Sequence, residues 1–219
     1  MLPEDTWTPP YLSTFSEAPY DRGFDRLRAI FIHVPKCAGS SILTLFEGVY
    51  PEHVPYWKFK EKDPNRFAEY FKFAFVRDPW DRLVSAYEFL RAGGMNEGDR
   101  RWAEWALSPF PDFESFVLKW LTEKNIETKI HFVPQHRFLC DPEGQLQVDM
   151  LGRYENLLRD LRVIQTKLDS QTPIPHLNSS SKDASPRDFR AYYTHKSAKR
   201  VQEVYARDME LFGYDSAPV

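Results

Sequence analysis

The sequence predicts an α/β domain with a mostly parallel central sheet and helices on both faces, and three observations carry that expectation. Short apolar runs rich in β-branched and aromatic residues alternate with stretches whose apolar positions recur every three or four residues. The runs at 27–34 and 71–76 read as buried strands. Each of them ends on a short polar turn that leads straight into a helical pattern, as βα units do.

Leu27 to Val34 is the first strand, stopped by Pro35, which has no N–H to donate to a ladder. Ser40 to Tyr50 follows as a helix, because Ile42, Leu45, Phe46 and Val49 share one face of a 3.6-residue period. Pro51 to Pro64 reads as a loop of mixed aromatics and charges, and Phe71 to Val76 as the second strand. Asp78 and Pro79 then start a helix, as N-cap and first-turn proline, with Asp81 near the positive helix end and Leu83, Val84, Tyr87 and Leu90 as its buried stripe. "RAGGMNEGDRR", starting at Arg91, reads as a turn or mobile loop. Asp112 to Leu121 is an amphipathic helix, "VDMLGRYE" a third strand, and Asn156 to Leu168 a helix with Leu157, Leu161, Ile164 and Leu168 inward. Thr172 to Pro186 is a loop rich in Pro, Ser and Asn, and a last helix from about Ser197 to Phe212 closes on Gly213. Residues 1–26 read as an extended arm, and 27–219 as one domain.

Composition narrows the function classes. With 219 residues, 42% hydrophobic and 28% charged, the chain is expected to be soluble and globular, with a sizeable core. Its net charge of -3 means that any anion site must be a local cluster of Lys and Arg rather than a global field. No apolar window approaches the ~18 residues of a membrane span, and the N-terminal stretch lacks the basic and apolar regions of a secretory signal. Cys37 and Cys140 make no disulfide framework. One bridge between them stays open, but reduced thiols in a cytoplasmic protein are the plainer expectation. No His/Cys/Asp cluster has metal-ligand spacing, so no metal is expected.

Chemistry concentrates at the two strand exits. In "HVPKCAGSS", Gly39 permits a sharp turn into a helix, whose first N–H groups lack internal partners and favour an anion. Ser40 and Ser41 add hydroxyl donors, and Lys36 adds a full charge. The lysine precedes the small residues, so this is not the triphosphate loop G-x-x-x-x-G-K-[ST]. A solvent-facing lysine in a Ser-capped turn fits the stretch equally well. In "VRDPWDRLVSAY", Arg77 leaves the second strand with a fork suited to phosphate, and Ser85 lies two turns into the following helix. Simple pairing of Arg77 with Asp78 or Asp81 is the competing reading. Two anion sites at adjacent strand exits suggest one ligand with two separated phosphate-like groups, such as a nucleotide phosphorylated at both ribose ends.

On these residues the chain resembles the sulfotransferases that use 3′-phosphoadenosine 5′-phosphosulfate (PAPS). "HVPKCAGSS" looks like their 5′-phosphosulfate loop, and "VRDPWDRLVSAY" like their 3′-phosphate motif. The nearer similarity is to the carbohydrate sulfotransferases, including the uronosyl 2-O and related Golgi enzymes. "FVPQHRFLCD", "LGRYENLLRDL", "PHLNSSSKD" and "YARDMELFGY" extend it over Ala29 to Tyr214. The resemblance implies a P-loop-like three-layer fold, PAPS as donor, a hydroxyl-bearing acceptor that is a glycan, and, set against the membrane-anchored Golgi relatives, a chain that is either cytoplasmic or an excised lumenal domain. It assigns Pro35, Lys36, Cys37, Ala38, Gly39, Ser40 and Ser41 to the 5′-phosphosulfate and Arg77 with Ser85 to the 3′-phosphate. It makes Lys182 a further phosphate contact, in a loop closing over the donor. Lys36 beside the bridging oxygen would stabilise the leaving phosphate.

The acceptor hydroxyl needs a base. In the 2-O relatives a His-rich stretch between the two motifs supplies it. Here the only histidine between them is His53, with Glu52 beside it as a fallback. The relatives carry a histidine pair there, and this chain has one. His33, just before the loop, suits a core or supporting role, and His136 either orients the acceptor or packs. His131, His176 and His195 read as surface or loop residues. Cys37 stands where most relatives have Thr or another small residue, and it reads as a small-residue substitution. A non-catalytic nucleotide or glycan binder is the main alternative. A nucleotide kinase is a weaker one, since it needs a metal carboxylate and a complete triphosphate loop.

Overall fold

The computed structural model describes residues 20, 22–46, 52–172 and 188–218. Helix α1 (Arg22–Leu27) leads into strand β1 (Ala29–Ile32). Past the first turn come α2 (Gly39–Ile42) and a 3-10 turn over Leu43–Phe46, and then α3 (Tyr56–Lys62) and α4 (Pro64–Glu69). Strand β2 (Phe71–Val76) enters α5 (Pro79–Arg91), followed by α6 (Glu97–Ala106), α7 (Phe113–Lys119), α8 (Glu123–Ile126) and α9 (His136–Leu139). Strand β3 (Met150–Arg153) precedes α10 (Leu157–Lys167), and α11 (His195–Phe212) ends on Gly213 in the left-handed conformation.

The three strands form one parallel sheet in the order β1-β2-β3, with Ala29 opposite Phe71 and Phe73 opposite Met150. Successive strand residues face opposite sides, yet all of β1 and Phe73 to Val76 are buried, so helices cover both faces. Side-chain size sets the register locally. Phe31 stacks on its partner Phe73 at 5.3 Å between ring centroids. Gly152, opposite Phe75, is small because a Cβ there would fall 2.5 Å from the Phe75 ring. A second core, away from the sheet, gathers Trp80, Tyr87, Phe116 and Tyr205 from α5, α7 and α11, Trp120 just past α7, and Phe132 from the segment before α9.

The α/β class and the parallel sheet match the sequence expectation, and four local differences have physical causes. The end of the expected arm is helical: Phe24 of α1 is fully buried, edge-on to Phe46 at 5.1 Å. The expected 51–64 loop contains α3, too short for periodicity to show, whose Phe59 is 1% exposed. Asp63 then caps α4 by accepting from the Asn65 and Arg66 amides at 3.1 and 3.0 Å. The glycine-rich stretch does turn at Gly93 and Gly94, both with positive φ, but from Glu97 it is the helix α6, capped by Asn96. The helix expected over 40–50 is a single α turn continued as 3-10 as far as Phe46. Its end, and the 172–186 loop beyond Thr172, lie outside the described residues.

Candidate functional site

Between β1 and α2 the backbone takes an uncommon path. Lys36 and Ala38 both adopt left-handed φ, 68° and 64°, a conformation that costs a non-glycine residue about 1 kcal/mol or more. The Ser41 and Ile42 amides return to the Ala38 carbonyl at 3.0 and 3.3 Å. The amides before them belong to a helix's first turn and have no earlier carbonyl to meet. Gly39 is obligatory for a packing reason: a Cβ would sit 1.7 Å from His33 Nε2. The His33 ring, one residue past β1, therefore presses directly against the turn. Ser40 is exposed and Ser41 half-buried.

The second exit lies beside the first. Arg77 Nη1 donates to the Lys36 carbonyl at 3.1 Å. Nε and Nη2 both donate to Asp81 Oδ2, at 2.8 and 2.7 Å, and the guanidinium lies 3.9 Å from the Tyr154 ring centroid. The Arg77–Asp81 pairing weighed from the sequence is thus present. It uses part of a five-donor fork, so an anion would share Arg77 with Asp81 rather than hold it alone. Asp78 caps α5 through the Trp80 amide at 2.8 Å, while burial pushes its carboxyl up to about 6. Ser85 is half-buried on α5. Lys182, and with it the expected closing loop and His176, lies outside the described residues.

One residue that sequence reasoning passed over ties the exits together. Gln135, fully buried, accepts from the Arg77 amide at 2.9 Å and from the Cys37 thiol at 3.4 Å, and its Nε2 donates to the Arg77 carbonyl at 2.9 Å. Its own backbone N–H donates to Asp208 Oδ2 at 2.7 Å. Asp208 also accepts from the His136 amide at 2.9 Å and from His136 Nδ1 at 2.7 Å. Burial works against the Asp208 charge, but the His136 bond and charge outweigh it and hold the carboxyl below its usual range. His136 is therefore tied to Asp208 through Nδ1. The signal was present in "PQHRF" and "YARDM", two stretches that sequence spacing alone could not join. Burial pushes the Cys37 thiol up to about 12, so it carries no thiolate. Both cysteines are free.

Three histidines line the approach to Lys36. His53 Nδ1 lies 3.0 Å from the His33 carbonyl. A carbonyl only accepts, so Nδ1 carries the proton and Nε2 keeps its lone pair. Burial pushes His53 down to about 4, with the Lys36 charge acting in the same direction. The His33 and His53 rings are 4.0 Å apart between centroids, and His53 and His131 6.4 Å. His131, expected as a surface or loop residue, lies in a turn and is half-buried, 5.1 Å from the Phe89 ring, and burial pushes it down to about 3. Lys36 Nζ stands 3.8 Å from the centroid of the same Phe89 ring. Glu52 is exposed. Among the described residues no group of His, Cys, Asp or Glu is arranged to hold a metal, and no helix is long and apolar enough to cross a membrane.

This is a parallel α/β domain with a phosphate-type turn after β1, a guanidinium after β2, and a neutral imidazole beside them. The Sulfotransferase family model matches residues 24–215, and the chain belongs to that family. It is 26% identical to carbohydrate sulfotransferase 14 of Mus musculus over 97% of this chain and 65% of that protein. The human carbohydrate sulfotransferase 14 gives the same figures, 26%, 97% and 65%. Carbohydrate sulfotransferase 10 of Rattus norvegicus is 24% identical over 87% of this chain and 65% of its own length. The chain thus spans about 65% of these relatives. No solved structure matches it.

Proposed function

We propose that this chain transfers a sulfuryl group from PAPS to a hydroxyl of a carbohydrate, with His53 as base and Lys36 as the cation at the leaving oxygen. The observation that supports the reading is the junction of the two exits, where Arg77 donates to the carbonyl of Lys36 itself. Family membership and the names of the relatives support the donor and the acceptor class.

The donor supplies an activated sulfuryl group on a 5′-phosphate. The chain's residues do the rest. The left-handed turn at Lys36 and Ala38 aims first-turn amides at an anion, with Pro35, Cys37, Gly39, Ser40 and Ser41 forming its wall and Lys36 adding charge where the leaving phosphate becomes negative. Arg77, with Ser85 and Lys182, takes the 3′-phosphate. His53 Nε2 accepts the proton of the acceptor hydroxyl as its oxygen attacks sulfur, and the sulfur–oxygen bond to the phosphate breaks. The low proton affinity of His53 keeps it neutral at working pH, which a base requires. That tautomer also favours an enzyme over a binder without a base. Cytoplasmic placement belongs to this proposal alone and rests on the two free thiols, since the lack of a spanning helix assigns no compartment.

Calorimetry with adenosine 3′,5′-bisphosphate tests the reading. Binding that disappears in Lys36→Ala is expected, and no binding by the unmodified chain would overturn the proposal.

A further inference from the structure

His131 is held as though for a purpose that the first two strand exits do not use. Its segment is pinned from below. Buried Arg82 donates to the His131 and Val133 carbonyls at 3.3 and 2.8 Å, and Tyr205 Oη donates to the Phe132 carbonyl at 2.7 Å. On this pinned backbone the His131 ring packs 5.1 Å from Phe89, which carries the Lys36 ammonium on its face, and 6.4 Å from His53, whose Nε2 lone pair is unused by its bond to His33. Nδ1 of His131 is buried with no hydrogen-bond partner, and no bond to Nε2 is present among the described residues. Unlike Nδ1, Nε2 is not sealed from solvent, and the residue as a whole is half-buried. A neutral imidazole offers one donor and one acceptor nitrogen, and a hydroxyl can answer either. Nδ1 is sealed away from any incoming group, so Nε2, open to solvent, is the nitrogen that a hydroxyl can reach.

We infer that His131 is an acceptor-binding residue, its Nε2 hydrogen-bonding a sugar hydroxyl next to the one that His53 deprotonates. This rests on the sulfotransferase reading. Two imidazoles on one wall would divide the work: His53 moves the proton, and His131 fixes the sugar.

The test compares His131→Gln, His131→Asn and His131→Phe in the full chain. The acceptors are a hexasaccharide of alternating uronic acid and hexosamine, and maltohexaose as a neutral comparator. Gln places its amide near the position of Nε2 and Asn near that of Nδ1, so Gln should rescue. For the acceptor that the unmodified chain uses, KM should rise about 3- to 10-fold in the Asn and Phe variants and less in Gln. The kcat should stay within about threefold and bisphosphate affinity within about twofold. Bisphosphate binding also reports folding, so a variant that misfolds is replaced in the comparison by the other two. Unchanged KM in all three variants would overturn the inference and leave the sulfotransferase reading intact, as would a fall in kcat at unchanged KM. An unmodified chain that neither binds the bisphosphate nor transfers to either sugar would overturn both.

Discussion

The two strand exits solve the same chain-reversal problem in opposite ways. After β2 the backbone is relaxed: Asp78 caps α5, Pro79 takes the first helical position, and Glu155 accepts from the Asp78 amide at 2.6 Å. Its cation is already matched to Asp81. After β1 the backbone is strained at Lys36 and Ala38, no side chain caps α2, and a histidine ring fills the space where another residue would have a Cβ. The strained exit is held in place from outside, through Gln135 on Cys37 and Arg77 on Lys36. A turn with two left-handed non-glycine residues costs stability on its own, so the neighbouring exit serves as its brace. The difference teaches that part of the second exit's cation is structural: Arg77 is shared between Asp81 and the Lys36 carbonyl before any ligand arrives.

The sharpest way to break this comparison is at the base. His53→Gln is expected to lower kcat by about 100- to 10,000-fold while bisphosphate binding stays within about threefold; loss of both together would make His53 a structural residue. A pH profile refines the same point. A base works only when neutral, so with His53 pushed down to about 4 the rate should hold as pH falls through 6 and drop only near that value. A rate that already halves at the ordinary histidine value of about 6.5 would contradict it. Stability has the same sign. The unfolded histidine takes its proton first, so this group's contribution is complete above about 6.5 and declines as pH falls toward 4.

Next in size is the brace. Asp208→Ala removes a fully buried carboxylate that accepts three hydrogen bonds, and should cost about 3–5 kcal/mol in urea unfolding. Gln135→Leu leaves the Arg77 amide and carbonyl unpaired and should cost about 1–3 kcal/mol. It should also weaken bisphosphate binding, because the turn loses its outside support; full binding at reduced stability would mean that the first exit stands without its neighbour. Gly39→Ala should cost about 1–3 kcal/mol by overpacking against His33. The smallest effect is expected at Ala38→Gly. Relief of the left-handed strain should be neutral or stabilise by at most about 1 kcal/mol, read as a higher midpoint in the same unfolding curve.

Much of the fold was legible because strand and long-helix signals are local. β2 runs over the same Phe71–Val76 that the apolar run marks, and the Asp78-Pro79 start of α5 and the Gly213 stop of α11 fall where capping chemistry places them. Short elements were not legible, since α1 and α3 have too few turns to show a period and are held by tertiary burial of Phe24 and Phe59. The same limit applies at the site. Lys36, Arg77 and His53 could be singled out because each lies in or between recognisable strand exits. Gln135, Asp208 and His131 could not, because the residues they meet lie in distant segments, the nearest being Phe89, 42 residues before His131, and contact at such separations leaves no periodic trace.

The amino-acid sequence by itself determined the α/β class, the two polar turns and the cationic and small residues gathered at them, since these depend on neighbours a few positions apart. Only the tertiary structure decided that Arg77 also braces the Lys36 turn, that His53 carries its proton on Nδ1, and that His131 packs toward it. Those facts are hydrogen bonds and ring contacts between distant segments, and they exist only once β1, β2 and the chain before α9 are packed side by side.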